Sequence, residues 1–131
     1  MRTLIQRFLL AAGLSLLAAG TLAQPVPPAV SPGIAAKLIV RGELLGLQVV
    51  DLRAQRRNDV LVVQAEMTNT DTRDLRLFYR FRWTDDNGMQ VGDGEVWKPL
   101  VFLGRQTHFI KGTGYGPQAT DFKIEMSSEP R

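Results

Sequence analysis

The stretch that decides the fold is Leu75–Thr84, LRLFYRFRWT. Its odd-numbered positions are all apolar or aromatic, while its even-numbered positions carry three arginines, one phenylalanine and one threonine. This period of two predicts a β-strand with one buried face. No segment shows an amphipathic helical pattern longer than about two turns. We therefore expect an all-β core with this strand at its centre.

A hairpin is predicted before this strand, with Asn58-Asp59 as its two-residue loop. Residues equidistant from that loop then face each other, and Asp51 faces Glu66, so that Arg53 or an arginine from another strand must relieve the repulsion. The apolar pairs of this register are Ala54 with Val63, Leu52 with Ala65, and Val50 with Met67.

A second turn follows the central strand at Asp85-Asp86-Asn87-Gly88. We predict a three-residue loop with Gly88 in the left-handed region, because that loop gives Trp83 an apolar partner, Val91. Substitution of Gly88 by a β-branched residue is then expected to damage the hairpin.

Short strands are predicted on both sides of these hairpins. The segment 96–103 contains Pro99, which removes a ladder donor and indicates an edge strand or a connection between sheets. Residues 37–40, 108–111 and Asp121–Ser127 complete a set of about seven strands, the last with Phe122, Ile124 and Met126 inward. The predicted fold is a single compact immunoglobulin-like β-sandwich.

The chain divides into three parts. Residues 1–23 have the pattern of a signal peptide, with Arg2 and Arg7 before an apolar core and small residues in Thr21-Leu22-Ala23. Residues 24–36 are rich in proline and are predicted to be an extended tether, and residues 37–131 form the sandwich domain. We expect export to the periplasm with cleavage of the leader.

A lipid anchor is not expected. Ala18-Ala19-Gly20 resembles the run that precedes the lipidated cysteine of bacterial lipoproteins, but Thr21 occupies the position of that cysteine. The chain contains no cysteine, which also excludes a disulfide framework and a thiolate nucleophile.

Nucleic acid is not an expected partner. The formal charge of +3 falls to +1 when Arg2 and Arg7 are removed with the leader. A domain so near neutrality lacks the excess of basic residues that is typical of nucleic-acid binders.

The sequence offers little for catalysis or metal binding. His108 is the only histidine, and Asp85 and Asp86 lie in a sequence that a tight turn selects without a metal. The three methionines of the mature chain, Met67, Met89 and Met126, are best interpreted as packing residues. We predict a protein that is not an enzyme and has no catalytic residues, metal site or cofactor.

A binding surface is predicted on the second face of the central strand. Arginines interleaved with an aromatic ring bind anionic glycans, lipid headgroups or carboxylates of a partner protein. The alternative is a solvated face whose charges pair with Glu66, Glu125 and Asp51, and Arg53 is expected nearby. The predicted partner-binding residues are Arg76, Phe78, Arg80 and Arg82.

The chain resembles the YcfL-like family of small bacterial envelope proteins over residues 37–126. The resemblance implies a compact β-sandwich in the periplasm of a Gram-negative bacterium. Family members are often lipoproteins, from which this chain departs at Thr21, and some are encoded beside an outer-membrane lipoprotein that activates a peptidoglycan synthase. The resemblance implies no catalytic residues. It is carried by Val49-Val50-Asp51-Leu52-Arg53, Thr68-Asn69-Thr70, Tyr79-Arg80-Phe81-Arg82-Trp83, Asp86-Asn87-Gly88 and Phe122-Lys123-Ile124-Glu125.

These observations lead to three hypotheses. The first is a non-enzymatic periplasmic protein that binds an envelope protein or an anionic glycan, with a link to cell-wall synthesis. The second is a periplasmic carrier or chaperone for a small ligand or metal ion, with a pocket between the sheets. The third, a hydrolase that uses His108 with an acid, has the least support.

Overall fold

The computed structural model describes residues 31–129. The predicted signal peptide and most of the predicted tether lie outside the described residues. One short helix and seven strands make up the described part, in the order α1 Pro32–Ala35, β1 Leu38–Arg41, β2 Leu47–Arg57, β3 Val60–Asn69, β4 Leu75–Thr84, β5 Lys98–Phe102, β6 Thr107–Thr113 and β7 Asp121–Ser127.

The strands form two sheets packed face to face. The four-stranded sheet has the order β1-β7-β4-β5, and the three-stranded sheet has the order β2-β3-β6. Neighbours are antiparallel except for β1 and β7, which pair in parallel. The predicted all-β sandwich of about seven strands is confirmed.

The core is built on β4, whose bounds match the predicted strand. Phe81 and Trp83 from its inner face are fully buried and stack with their ring centroids 5.3 Å apart. Phe122, Ile124 and Met126 of β7 are buried beside them, as predicted. Met67 from β3 and Phe102 from β5 are also fully buried and complete the core.

The first hairpin follows the predicted register only in part. Leu52 faces Ala65, and both loop residues, Asn58 and Asp59, have positive φ, as a tight hairpin loop requires. The register then shifts at Val50, so that Val49 rather than Val50 faces Met67. The predicted pairing of Val50 is therefore wrong. A bulge at this point turns Val49 into the core and leaves Val50 48% exposed.

The second turn has the predicted geometry. Val91 donates its backbone N–H to Trp83 at 2.9 Å, and Gly88 adopts a φ of 77°. The carboxylate of Asp85 accepts the backbone N–H groups of Asn87 and Met89, so its role is in the turn itself.

Both edge strands of the four-stranded sheet, β1 and β5, are short. β5 is an edge strand and contains Pro99, as the sequence predicts.

Helix α1 is a single turn capped by Ser31, and it places Ile34 against the core just before β1. The final residues of the segment predicted to be extended are thus helical. No helix within residues 31–129 has the length and apolar character needed to cross a bilayer.

Candidate functional site

The four predicted binding residues lie together on the outer surface of the four-stranded sheet. They occupy even-numbered positions of β4, opposite to the buried Leu77, Phe81 and Trp83. Side chains from the neighbouring strands and from the segment before β5 complete this surface. We call it the basic face, and it comprises Arg41, Arg76, Phe78, Arg80, Arg82, Trp97, Lys123 and Glu125.

Glu125 lies at the centre of the basic face. It is directly opposite Arg80 in the register of β4 and β7, and its side chain is only 1% exposed. The carboxylate Oε2 accepts from Arg41 Nε at 3.1 Å and from Arg80 Nη2 at 3.3 Å. Arg82 Nε lies 3.2 Å from Oε1. Three guanidinium groups from two strands therefore share one carboxylate.

The ionised form of Glu125 is favoured despite its burial. Loss of solvent raises the pKa of a carboxyl group, but hydrogen bonds from Arg80 and Arg41 and the charges of Arg80 and Arg82 outweigh this effect. The pKa of Glu125 consequently lies below its ordinary value.

Arg80 is held on two sides. One terminal nitrogen binds Glu125, and the guanidinium lies over the ring of Trp97 with its central carbon 4.2 Å from the ring centroid. A guanidinium in contact with the face of an indole is attracted by its π electrons, and its conformational freedom is small.

Positive charge exceeds negative charge on the basic face. The basic face has five cationic side chains and one carboxylate, that of Glu125, which pairs with three of them, so its net charge is about +4. Arg82 and Lys123 lie directly opposite each other in the register of β4 and β7, although like charges in that position repel. Arg76 and Lys123 form no ion pair with any of residues 31–129.

A cavity of about 340 Å³ opens beside Glu125. Arg80 and Arg82 line one side, and Asp93, Gly94 and Val96 from the connection between β4 and β5 line the other. Val96 is 77% exposed at its rim. Three carboxylates, those of Asp93, Glu95 and Glu125, line the cavity together with the two arginines, so the cavity itself is not cationic. The excess positive charge of the basic face comes from Arg41, Arg76 and Lys123, which do not line it.

An apolar strip borders the cations. Phe78 lies opposite Pro99 of β5, and Arg76 lies opposite Val101, which is exposed. The basic face thus combines charge with an aromatic and aliphatic margin.

The family of this chain follows from its similarity to known proteins. The model of a protein family of unknown function, DUF1425, matches residues 41–128. The chain belongs to the DUF1425 family. This finding supports a family of uncharacterised small proteins, which is a coarser assignment than the YcfL-like resemblance.

Two solved structures resemble this DUF1425 protein. One is a DUF1425 family member from Shewanella sp. PV-4, with 26% identity, a TM-score of 0.57, and coverage of 61% of this chain and 75% of that one. The other is Cj0090 of Campylobacter jejuni, with 18% identity, a TM-score of 0.58, and coverage of 71% of this chain and 98% of that one. The second likeness concerns the fold alone. No curated protein matches the chain.

Of the three carboxylates expected to pair with the arginines, only that of Glu125 lies on the basic face of this protein. Glu125 pairs with Arg80 and Arg82, as the alternative interpretation of this face expects, whereas Asp51 and Glu66 lie on the three-stranded sheet. Arg53 also lies there, so its expected position beside the basic face is wrong. It binds Asp51 at 2.9 Å, which relieves the repulsion between Asp51 and Glu66.

Three members of the basic face were missed in the sequence. Arg41 reaches Glu125 from β1, a strand that pairs with β7 from more than 80 residues away along the chain. Trp97 lies outside the strands, beyond the last paired residue of β5. Lys123 alternates with the inward-facing Phe122 and Ile124, but its position opposite Arg82 depends on the β4–β7 register, which no local pattern provides.

The remaining candidate residues have structural contacts. His108 faces the interior and packs edge-to-face on Phe102, with ring centroids 5.0 Å apart. Glu95, which precedes β5 and lines the cavity beside Glu125, also has structural contacts, because it accepts from the backbone of Phe81 and from the Trp83 indole. Among residues 31–129, no three His, Cys, Asp or Glu side chains are grouped so that they could hold a metal ion.

Proposed function

We propose that this DUF1425 protein is a non-enzymatic binding protein of the periplasm, and that its basic face docks an acidic component of the cell envelope. The observation that carries the proposal is the arrangement of three arginines around the buried Glu125. An outward-facing cluster with a net positive charge attracts an anionic partner.

The cluster is pre-organised for binding. Glu125 and Trp97 fix the guanidinium of Arg80, so a partner does not have to immobilise this side chain on binding. Arg82 and Arg41 are about half exposed, and Glu125 engages them through Nε, which leaves the terminal nitrogens of Arg82 and Arg41 outside these ion pairs. A carboxylate of the partner can accept two parallel hydrogen bonds from such a group.

A protein partner is favoured over a glycan at this face. The margin of Phe78, Pro99 and Val101 gives the surface the mixture of arginine, aromatic and aliphatic groups that is typical of protein interfaces. The proposed partner is therefore an envelope protein with an acidic surface.

The periplasmic location is part of this proposal and rests on the signal-peptide pattern of residues 1–23. A link to cell-wall synthesis rests on the YcfL-like resemblance.

A carrier function has less support. The predicted pocket for a small ligand lies between the sheets, where Met67, Phe81 and Trp83 are fully buried and in contact with the rest of the core. The cavities that border the basic face and the three-stranded sheet are on the outside of the sandwich.

Photo-crosslinking in cells tests the docking surface. A photoreactive residue at position 76 or 123 is expected to give one discrete adduct, because both side chains are exposed and lie outside the Glu125 network. A probe at Gln48, which is exposed on the three-stranded sheet, serves as the control. Adducts that are absent from both test positions, or identical from all three, would contradict the proposal.

A charge variant gives a second readout in the same experiment. Arg82→Gln is expected to abolish the adduct formed from position 76, whereas Lys111→Gln on the other sheet leaves it unchanged. An adduct of glycan composition would keep the docking surface but reject the protein partner.

A further inference from the structure

A second concave surface lies on the opposite side of the sandwich. It is the outer face of the three-stranded sheet, and it borders an open cavity of about 780 Å³, more than twice the volume of the cavity beside Glu125. The bulge at Val50 bends β2 at one end of this sheet. The polar side chains that line the cavity are Arg53, Gln55, Arg57, Gln64 and Lys111.

The register arranges these side chains in rows across the sheet. Gln64 of β3 lies opposite Arg53 of β2 on one side and opposite Lys111 of β6 on the other. Two cations thus flank an amide, with backbones about 10 Å apart over two strand spacings. The next row along the strands consists of Gln55, Val62 and Thr113, which supply an amide, an apolar side chain and a hydroxyl group.

The cavity is cationic. Three basic side chains and no carboxylate line it. Arg53 binds Asp51 through Nε, and this ion pair does not involve its terminal nitrogens. Lys111 is exposed, and its side chain makes no hydrogen bond or ion pair with any of residues 31–129.

We propose that this concave surface binds an acidic oligosaccharide. A sugar carboxylate is bound between Arg53 and Lys111. The amide of Gln64 and the amide nitrogen of Gln55, whose oxygen accepts from Arg57, bind sugar hydroxyl groups. Val62 lies between the polar side chains and packs against an apolar face of a sugar ring. The charged and amide side chains project from the face of the sheet, whereas an extended peptide would pair with the backbone at the free edge of β2, so these side chains favour a glycan.

This site is independent of the proposed function of the basic face. The two surfaces point in opposite directions from the sandwich, so both can be occupied in one molecule. The domain can then connect a protein partner on one side to an acidic glycan on the other.

Calorimetric titration with a tetrasaccharide of alternating glucuronic acid and N-acetylglucosamine tests the proposal. A neutral tetrasaccharide of N-acetylglucosamine has a similar size and lacks carboxylates, so it is the matched ligand control. We expect measurable binding of the acidic ligand and at least about tenfold weaker binding of the neutral ligand, because a lost charge-assisted hydrogen bond has this effect. Equal binding of both, or binding of neither, would overturn the proposal.

Two variants with the same change of charge locate the site. Lys111→Gln is expected to weaken binding of the acidic tetrasaccharide about tenfold, whereas Lys123→Gln on the basic face leaves it within about twofold. Equal weakening by both variants would show non-specific attraction and would reject the site. Both lysines are exposed, and thermal unfolding of both variants checks that each is folded.

The outcome is separable from that of the docking experiment. Loss of crosslinking at the basic face with intact tetrasaccharide binding rejects only the proposed function. Intact crosslinking without tetrasaccharide binding rejects only this second site.

Discussion

Glu95 occupies the place of a missing strand partner for Phe81, with its Oε1 3.1 Å from the Phe81 backbone nitrogen. β4 pairs with β5 only as far as Tyr79. The backbone N–H of Phe81 lies beyond this pairing, so no residue of β5 accepts its hydrogen bond. The other oxygen of Glu95 accepts from the Trp83 indole at 3.1 Å, and Lys98 lies 3.5 Å from Oε1. One side chain therefore completes the sheet and anchors the central tryptophan.

Replacement of Glu95 is expected to destabilise the fold. Glu95→Ala leaves the Phe81 amide and the Trp83 indole without acceptors, at a cost of about 3 kcal/mol in the free energy of unfolding. Urea unfolding measures this cost, and hydrogen exchange of the Phe81 amide measures its local part. Glu43→Ala, at an exposed loop position, is the control. Unchanged exchange at Phe81 would contradict the assigned role of Glu95.

Glu125 is expected to stabilise the sheet as well as to organise the basic face. Glu125→Gln keeps the shape but removes the charge that Arg41, Arg80 and Arg82 share, and we expect the free energy of unfolding to fall by about 2 kcal/mol. Denaturant unfolding checks the value against Glu43→Gln, which is expected to change it by less than about 0.5 kcal/mol. Equal stability of the two variants would show that the network has no net effect on folding.

Acid is expected to remove the contribution of Glu125. Its pKa is lowered in the folded state from an ordinary value of 4.5, so its stabilisation is complete above that pH and is lost as the pH falls through the lowered pKa. The difference in stability between the wild type and Glu125→Gln should therefore be constant near neutral pH and shrink in acid. Unfolding curves at a series of pH values measure this difference.

Two other carboxyl groups titrate in the same acidic range. Arg73 lowers the pKa of Asp71 to about 2, and Lys37 lowers that of Asp121. Both groups are present in the wild type and in Glu125→Gln, so their effects cancel in the comparison. A difference that stays constant in acid would contradict a lowered pKa of Glu125.

Gly112 allows the two sheets to approach each other. A Cβ at this position would lie 2.7 Å from the Phe81 ring, and that ring is fixed between Tyr79 and Trp83. We expect Gly112→Ala to lower the free energy of unfolding by about 2 kcal/mol through overpacking. Gly33→Ala, where a Cβ meets no atom within 4 Å, is the matched control and is expected to leave the stability unchanged or higher.

Local patterns in the sequence predicted local structure well. The bounds of β4 and β7 and the turn at Gly88 follow from alternation and turn chemistry, which depend on residues a few positions apart. The first hairpin follows its predicted register up to Asp51, and the bulge at Val50 then changes it. A bulge adds one residue without changing the apolar character of the strand, since Val49 and Val50 are equally suited to the core.

Long-range pairing determines the site, and this part was not predictable from one sequence. The four predicted residues were found because they alternate on one strand. Their counter-ion, Glu125, is buried and pairs with arginines from β1 and β4, and Arg41 is brought there by the parallel pairing of β1 with β7. Similarly, Arg80 meets Trp97 because of how β5 aligns with β4 after a long connection.

The bulge at Val50 also bears on self-association. β2 has 11 residues and is the longest strand at the edge of either sheet. An uninterrupted edge of this length would act as a template on which a strand from a second copy could polymerise. The extra residue disturbs the spacing of the backbone donors and acceptors near one end of β2, and charged side chains follow it along the strand. The bulge, which the simple hairpin register does not predict, therefore works against aggregation at this edge.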